Sequence, residues 1–144
     1  MRAKPEVLAH NIETVERLTT GVRDPRASYH QSLRVLAKMK ALDPKMFTKS
    51  SIMVGIGETE AEVIHTMRDL REAGCDFLTI GQYLQPTKRH LPVHGFVHPD
   101  QFKTFEDLGK EMGFLYVASG PLVRSSYKAG EYYIRRIIRE GTAE

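Results

Sequence analysis

Apolar positions in this chain come in two alternating patterns. Short apolar runs at 7–10, 51–56, 77–84 and 114–118 have the length and composition of strands. The run through Ile52, Met53, Val54 and Ile56 does not alternate with polar residues, which suits a strand covered on both faces. Between the runs the apolar spacing becomes that of helices. Leu33, Leu36 and Ala37 recur at helical intervals in a segment predicted from about Ser28 to Leu42. Val63, Met67 and Leu70 do so after Thr59, and Phe102, Phe105, Leu108 and Met112 after Pro99. Tyr133, Ile134, Ile137 and Ile138 give a last helix-like segment an apolar stripe, with Arg135, Arg136 and Arg139 largely elsewhere on its surface.

The punctuation agrees with this reading. Ser28 with Gln31, and Thr59 with Glu62, have the spacing of capping boxes. Asp43-Pro44 ends one predicted helix, Gly74 is placed for a left-handed cap on the next, and Pro99 and Gly113 bracket a third. Strand-like runs that alternate with helices, joined by connections too long for hairpins, predict an α/β fold with parallel strands and right-handed crossovers. Four strands cannot close a barrel, and burying both faces and edges of such a sheet requires a partner or a missing front half. The expectation is the back half of a larger unit.

Composition narrows the class. The 144 residues are 41% hydrophobic and 27% charged, enough for one domain with a real core. A net charge of +3, with 21 basic residues spread among 18 acidic ones, offers no basic stripe and argues against nucleic acid. No apolar run approaches the ~20 residues of a membrane span, and the amino-terminal residues are too polar for a signal peptide. The single cysteine, Cys75, excludes an internal disulfide framework and cannot by itself hold a metal cluster. A soluble protein of a reducing compartment is expected.

Candidate chemistry collects where the strand-like runs end, which is where parallel α/β folds bind ligands. After the first run, Asn11 and Glu13 are placed to hydrogen-bond a sugar hydroxyl or an amine; alternatively Asn11 or Thr14 caps a helix starting at Val15. Arg23 is a candidate for a carboxylate or phosphate. Gly55 and Gly57 remove side chains where the backbone turns or a ligand approaches. As a Gly-x-Gly pair they also permit a phosphate site near Thr59, but they complete neither a dinucleotide fingerprint nor a phosphate loop. Gln82 and Leu84 end the third run. His90, His94 and His98 recur every four residues, yet Pro92, Gly95 and Pro99 prevent the helix that would align them on a metal. The densest cluster is Ala118 to Tyr127, where Gly120-Pro121 forces a turn just before Arg124, Ser125, Ser126 and Tyr127. It is either a polar turn with Ser126 as a helix cap or a site.

Five segments taken together, His10 to Val15, Val22 to Ala27, Ile52 to Glu58, Gly81 to Thr87 and Ser119 to Tyr127, resemble the lipoyl synthase family. The resemblance runs from about Val7 to Ile138, and the Arg-Ser-Ser-Tyr ending is its most diagnostic part. It implies a radical S-adenosylmethionine enzyme on a partial (β/α)6, TIM-like barrel. Such an enzyme inserts sulfur at C6 and C8 of a protein-bound octanoyl chain, using two four-iron, four-sulfur clusters. By the same resemblance, 1–113 is the back half of the barrel and 114–144 a C-terminal extension. Ser126 is implied as a ligand of the auxiliary, sulfur-donating cluster, with Arg124 beside it. Asn11, Glu13 and Arg23 are implied for the ribose, amino and carboxylate ends of S-adenosylmethionine. Gly55 and Gly57 would lie near the adenine, and Gln82 and Leu84 would finish the pocket.

The implied partners are the missing N-terminal half and an octanoylated lipoyl carrier domain, of a 2-oxoacid dehydrogenase E2 or the glycine cleavage H protein. The implied compartment is the cytoplasm, or the mitochondrial matrix in a eukaryote. Lipoyl synthases carry two cysteine triads ahead of this region and this chain has neither. The expectation is therefore that no cluster assembles on it and that it is inactive alone. The alternative is a non-catalytic remnant that binds an octanoylated carrier domain.

Overall fold

The computed structural model of the chain describes residues 7–19 and 28–123. Four strands form one sheet in the order β1-β2-β3-β4, and every pairing is parallel. The strands are β1 (Val7–Ala9), β2 (Phe47–Val54), β3 (Phe77–Gln82) and β4 (Tyr116–Gly120). Among the described residues, the α-helices α1 (Tyr29–Leu42), α2 (Glu60–Glu72) and α3 (Pro99–Glu111) connect successive strands, with a short 3₁₀ turn, Glu16–Leu18, ahead of α1. This is the parallel α/β architecture expected from the sequence.

The helix ends form for the predicted reasons. Ser28 caps α1 by accepting from the Gln31 N–H, and Thr59 and Glu62 complete a reciprocal capping box on α2. Gly74 follows α2 with φ +85°, a conformation that would strain a residue with a Cβ. Pro99 opens α3, and His98 caps it by accepting the Asp100 N–H at Nδ1. That bond gives the third of the spaced histidines a structural task. Among the described residues, no group of three or more histidines, cysteines or carboxylates is arranged to hold a metal ion.

Residues that alternate along the strands divide between two faces. Ile52, Val54, Leu78, Ile80 and Val117 join Leu36, Val63, Met67, Leu70, Phe102 and Phe105 in one core between the sheet and the helices. The opposite face carries Ser51 and Met53 of β2 beside Thr79 and Gly81 of β3, paired Ser51 to Thr79 and Met53 to Gly81. Ala118 and Gly120 continue these two rows on β4. Side-chain bulk therefore falls toward the carboxyl ends of β3 and β4, which leaves room there.

Two boundaries differ from the sequence reading. β2 starts at Phe47 because Thr48 and Ser50, polar but fully buried, find partners: Thr48 Oγ1 donates to Gly74 O, and Ser50 Oγ accepts the Ile12 N–H. β4 starts at Tyr116 because the Phe114 N–H closes the end of α3 on Gly109 O, and the Leu115 N–H reaches Asp76 O.

Candidate functional site

The backbone just after β1 sets up the site. Glu13 has φ +73°, the one non-glycine residue in the left-handed region among those described. It is held there by two backbone hydrogen bonds to β2, its N–H to Ser51 O (3.0 Å) and its carbonyl from the Met53 N–H (2.7 Å). Such a conformation costs about 1–3 kcal/mol and persists where surrounding structure enforces it, commonly at functional positions. No helix cap explains it. Glu16–Leu18 form only a short 3₁₀ turn, and Val15 precedes it without a side-chain cap, so neither Asn11 nor Thr14 caps a helix.

Glu13 lines a cavity of about 210 Å³ with Ser51, Met53, Thr79, Gly81, Leu84 and Val123. This is the face of the sheet away from the helices, at the carboxyl ends of β2 and β3. Ser51 Oγ and Thr79 Oγ1 share a 2.6 Å hydrogen bond across the strands, which uses one of their two hydroxyl hydrogens and keeps the floor polar. The Glu13 carboxylate makes no side-chain hydrogen bond with the described residues, which leaves an acceptor for a ligand, whereas Asn11, two residues earlier, is not among the lining residues.

At Gly81 the space where a Cβ would stand is taken by the Val123 carbonyl, 2.2 Å from the ideal position. The turn after β4, closed by Val123 N–H to Gly120 O at 3.2 Å, thus brings the chain back over β3 at the cavity. Only glycine at 81 permits that approach.

The remaining sequence candidates divide. Gln82 also borders the cavity, but its side chain serves the protein: Nε2 donates to Tyr83 O and Gly95 O, and Oε1 accepts the Val97 N–H. It ties the loop between β3 and α3 to the sheet. Leu84 is half exposed at the rim. Gly55, φ +95°, lies outside the lining; an ideal Cβ there would meet Gln82 Nε2 at 2.2 Å and Gly95 O at 2.5 Å, so the chain itself occupies the space. Gly57 faces the His94 ring instead. Arg23, Arg124 and Ser126 lie outside the described residues.

The hold of Glu58 on the turn after β2, and the Arg17 partner of Glu62, escaped the sequence reading. Glu58 accepts the N–H groups of Gly55 and Ile56 at 3.0 Å, occupying donors that a phosphate would use. Glu62 is gripped by Arg17 in a two-pronged pair at 2.7 and 2.9 Å, which holds its carboxyl down to about 2. Arg17 also donates to Gly57 O, fastening the chain after β1 to the start of α2. The capping-box spacing of Glu62 from Thr59 was a signal; the Arg17 partner, 45 residues away, was not.

The thiol sits elsewhere. Cys75 is fully buried between α2 and β3, donates to Phe77 O at 3.3 Å, and is pushed up to about 12 by burial and then by the neighbouring Asp76 charge. A protonated thiol closed off from solvent is no metal ligand.

Comparison with known proteins decides the family. The chain is 61% identical over 139 residues to a mitochondrial lipoyl synthase of Branchiostoma floridae, covering 96% of the chain. It is 62% identical over 133 residues, 92% of its length, both to the mitochondrial lipoyl synthase of Drosophila grimshawi and to the apicoplast lipoyl synthase of Toxoplasma gondii. The chain belongs to the lipoyl synthase family. It spans 37%, 36% and 24% of those three relatives' lengths. No family model matches it. Among the described residues of this lipoyl synthase relative, no helix is long and apolar enough to cross a membrane.

Proposed function

We propose that this chain is the C-terminal portion of a lipoyl synthase. Its share of the work is to hold S-adenosylmethionine at the tips of β2 and β3, for sulfur insertion at C6 and C8 of an octanoyl chain carried on a protein lysine. The observation that carries this is Glu13, forced into a left-handed conformation on the cavity, with a carboxylate that has no partner among the described residues. S-adenosylmethionine, when bound, supplies the 5′-deoxyadenosyl group used in the radical chemistry of the family.

What the residues do follows from their types. The Glu13 carboxylate offers negative charge to a cationic amine or sulfonium, and the Asn11 amide offers both a donor and an acceptor to a ribose. Met53 and Gly81 give the floor an apolar strip, while the Ser51–Thr79 pair, joined by one hydrogen bond, keeps one hydroxyl hydrogen to offer. At about 210 Å³ the cavity is below the ~300 Å³ at which small-molecule sites begin, so it seats part of such a ligand. The rest of the enclosure would come from parts of a lipoyl synthase that this chain does not contain.

The residues present do not fit an iron–sulfur cluster. The sequence has one thiol, and it is buried, protonated and engaged with Phe77 O. Thiolate ligands for both clusters must come from outside the chain, and the isolated chain is inactive in this reading. Ser126 as auxiliary ligand and Arg124 beside it are the family-based part of the proposal. Arg23 for the carboxylate of S-adenosylmethionine rests on the family alone.

The test is restoration. The chain is fused behind the N-terminal segment of the Branchiostoma floridae relative, and conversion of an octanoylated carrier domain to the lipoyl form is measured by mass. The chain alone should give none, the fusion should give product, and Ser126→Ala in the fusion should abolish it. A fusion that assembles both clusters yet makes no lipoyl product would overturn the reading.

A further inference from the structure

The loop that joins β3 to α3 is unusual in both composition and construction. From Gly81 to Pro99 it contains no aspartate or glutamate, while it carries Lys88, Arg89 and three histidines. Residues 84–92 are exposed without interruption. Phe96 is 78% exposed, with Leu84 and Leu91 at 48% and 36%. Large apolar side chains presented beside cations on one loop mark an interaction surface.

The loop is also rigidly built. Tyr83 OH donates to Leu91 O at 2.7 Å, and Gln85 Nε2 to His90 O at 2.9 Å. Thr87 Oγ1 and His90 Nδ1 bond at 2.8 Å. At its far end the Gln82 amide holds Gly95 and Val97, and His94 N–H reaches Gly55 O. A segment fixed by this many bonds, yet showing its apolar and cationic side chains to solvent, is preorganised for a partner. Neither Lys88 nor Arg89 makes an ion pair among the described residues.

We infer that this loop docks an acidic protein surface, that of the protein whose acylated lysine is presented at the mouth of the cavity. The inference rests on the sulfur-insertion reading for the identity of the acyl chain, and on charge complementarity for the surface. The loop leaves β3 at the cavity, since Leu84 belongs to both the lining and the loop. A partner gripped by Lys88, Arg89 and Phe96 therefore has its modified lysine near the site. Cationic rims act chiefly by steering encounter and are weakened by salt, whereas a buried aromatic governs residence.

Two ten-residue peptides test this, each with a central octanoyl-lysine, one flanked by aspartates and glutamates and the other by serines and asparagines. Affinity for the full chain is measured by fluorescence anisotropy at low and at roughly 0.5 M salt, where the Debye length has shrunk to a few ångströms. The acidic peptide should bind at least about tenfold more tightly, a margin lost at high salt and in the double variant Lys88→Glu/Arg89→Glu. Phe96→Ser should weaken both peptides. Lys38→Glu, an exposed lysine on α1, should change neither, and an unchanged melting curve for each variant excludes misfolding.

Equal affinity for the two peptides, absence of binding at low salt, or a preference that survives the double variant would overturn the loop's role. Comparison with the unacylated acidic peptide separates the underlying reading. If acidic preference persists and the octanoyl group adds nothing, the acyl-substrate reading fails while the acidic docking surface stands.

Discussion

Replacing Gly55 by alanine tests whether this position is closed by the protein's own chain or left open for a ligand. The backbone there has φ +95°, and the new methyl would stand 2.2 Å from Gln82 Nε2 and 2.5 Å from Gly95 O. The left-handed conformation costs an L-residue roughly 1–2 kcal/mol. Relieving the overlap means pushing the Gln82 amide off Gly95 O, an overpacking cost of about 1–3 kcal/mol. Loss of the unfolded chain's glycine freedom returns roughly 0.4–1 kcal/mol. The balance is a destabilisation of about 2–4 kcal/mol. With a urea dependence near 2 kcal/mol per molar, the unfolding midpoint should fall by about 1–2 M.

Gly95→Ala is the matched control. Nothing lies within 4 Å of its ideal Cβ, and its φ is outside the left-handed range. That variant should stay within about 1 kcal/mol of the parent, on the stable side if anything. Circular dichroism against urea reads both. Equal midpoints for the two variants would refute the claim that Gln82 and the Gly95 carbonyl fill the space over Gly55.

Other outcomes follow from buried or paired groups. Glu62 should titrate near 2, well below its ordinary 4.5, and return toward that value in Arg17→Gln, as followed by side-chain carbonyl shifts in NMR. Because its folded value is depressed, its contribution to stability is present above pH 4.5 and is lost as pH falls toward 2. Cys75 has the opposite sign: with its thiol raised from 9.0 to about 12, its contribution holds below pH 9.0 and fades as pH climbs toward 12. Cys75→Ala should flatten that alkaline slope, and a thiol reagent at pH 8 should label the native chain only as fast as it unfolds. Lys40 Nζ lies 2.5 Å from Asp76 Oδ2, which also accepts the Thr48 N–H, so Lys40→Ala should cost about 2–4 kcal/mol in urea unfolding by stranding a mostly buried carboxylate.

The elements were legible in the sequence because each carried a signal of the right period together with its stop. The Thr59–Glu62 box, Asp43-Pro44 and Pro99 fixed helix ends within a residue or so. β2 was legible only in part, because Thr48 and Ser50 read as loop residues until their distant partners, Gly74 and Ile12, are known. The site shows the same division. Its position at strand ends was legible from topology, and Asn11 and Glu13 from residue type. Gln82 was singled out as a ligand residue, yet its amide braces a loop 13 residues away, a pairing that no local pattern encodes. Ser51 and Thr79 passed unnoticed because their role comes from strand register: two hydroxyls become neighbours only when β2 and β3 align. The left-handed Glu13 is likewise enforced by β2 and leaves no trace in its own neighbourhood.

The most direct measurement is an NMR titration of the isotopically labelled chain with S-adenosylmethionine. A cavity of about 210 Å³ should bind it weakly, on the order of 1 mM, about −4 kcal/mol. The largest shifts should cluster at Asn11, Glu13, Ser51, Met53, Thr79 and Gly81, and Glu13→Gln should abolish them. Shifts confined to the Gly55–Thr59 turn or to the helix-covered side of the sheet, or an unchanged response in Glu13→Gln, would contradict the account.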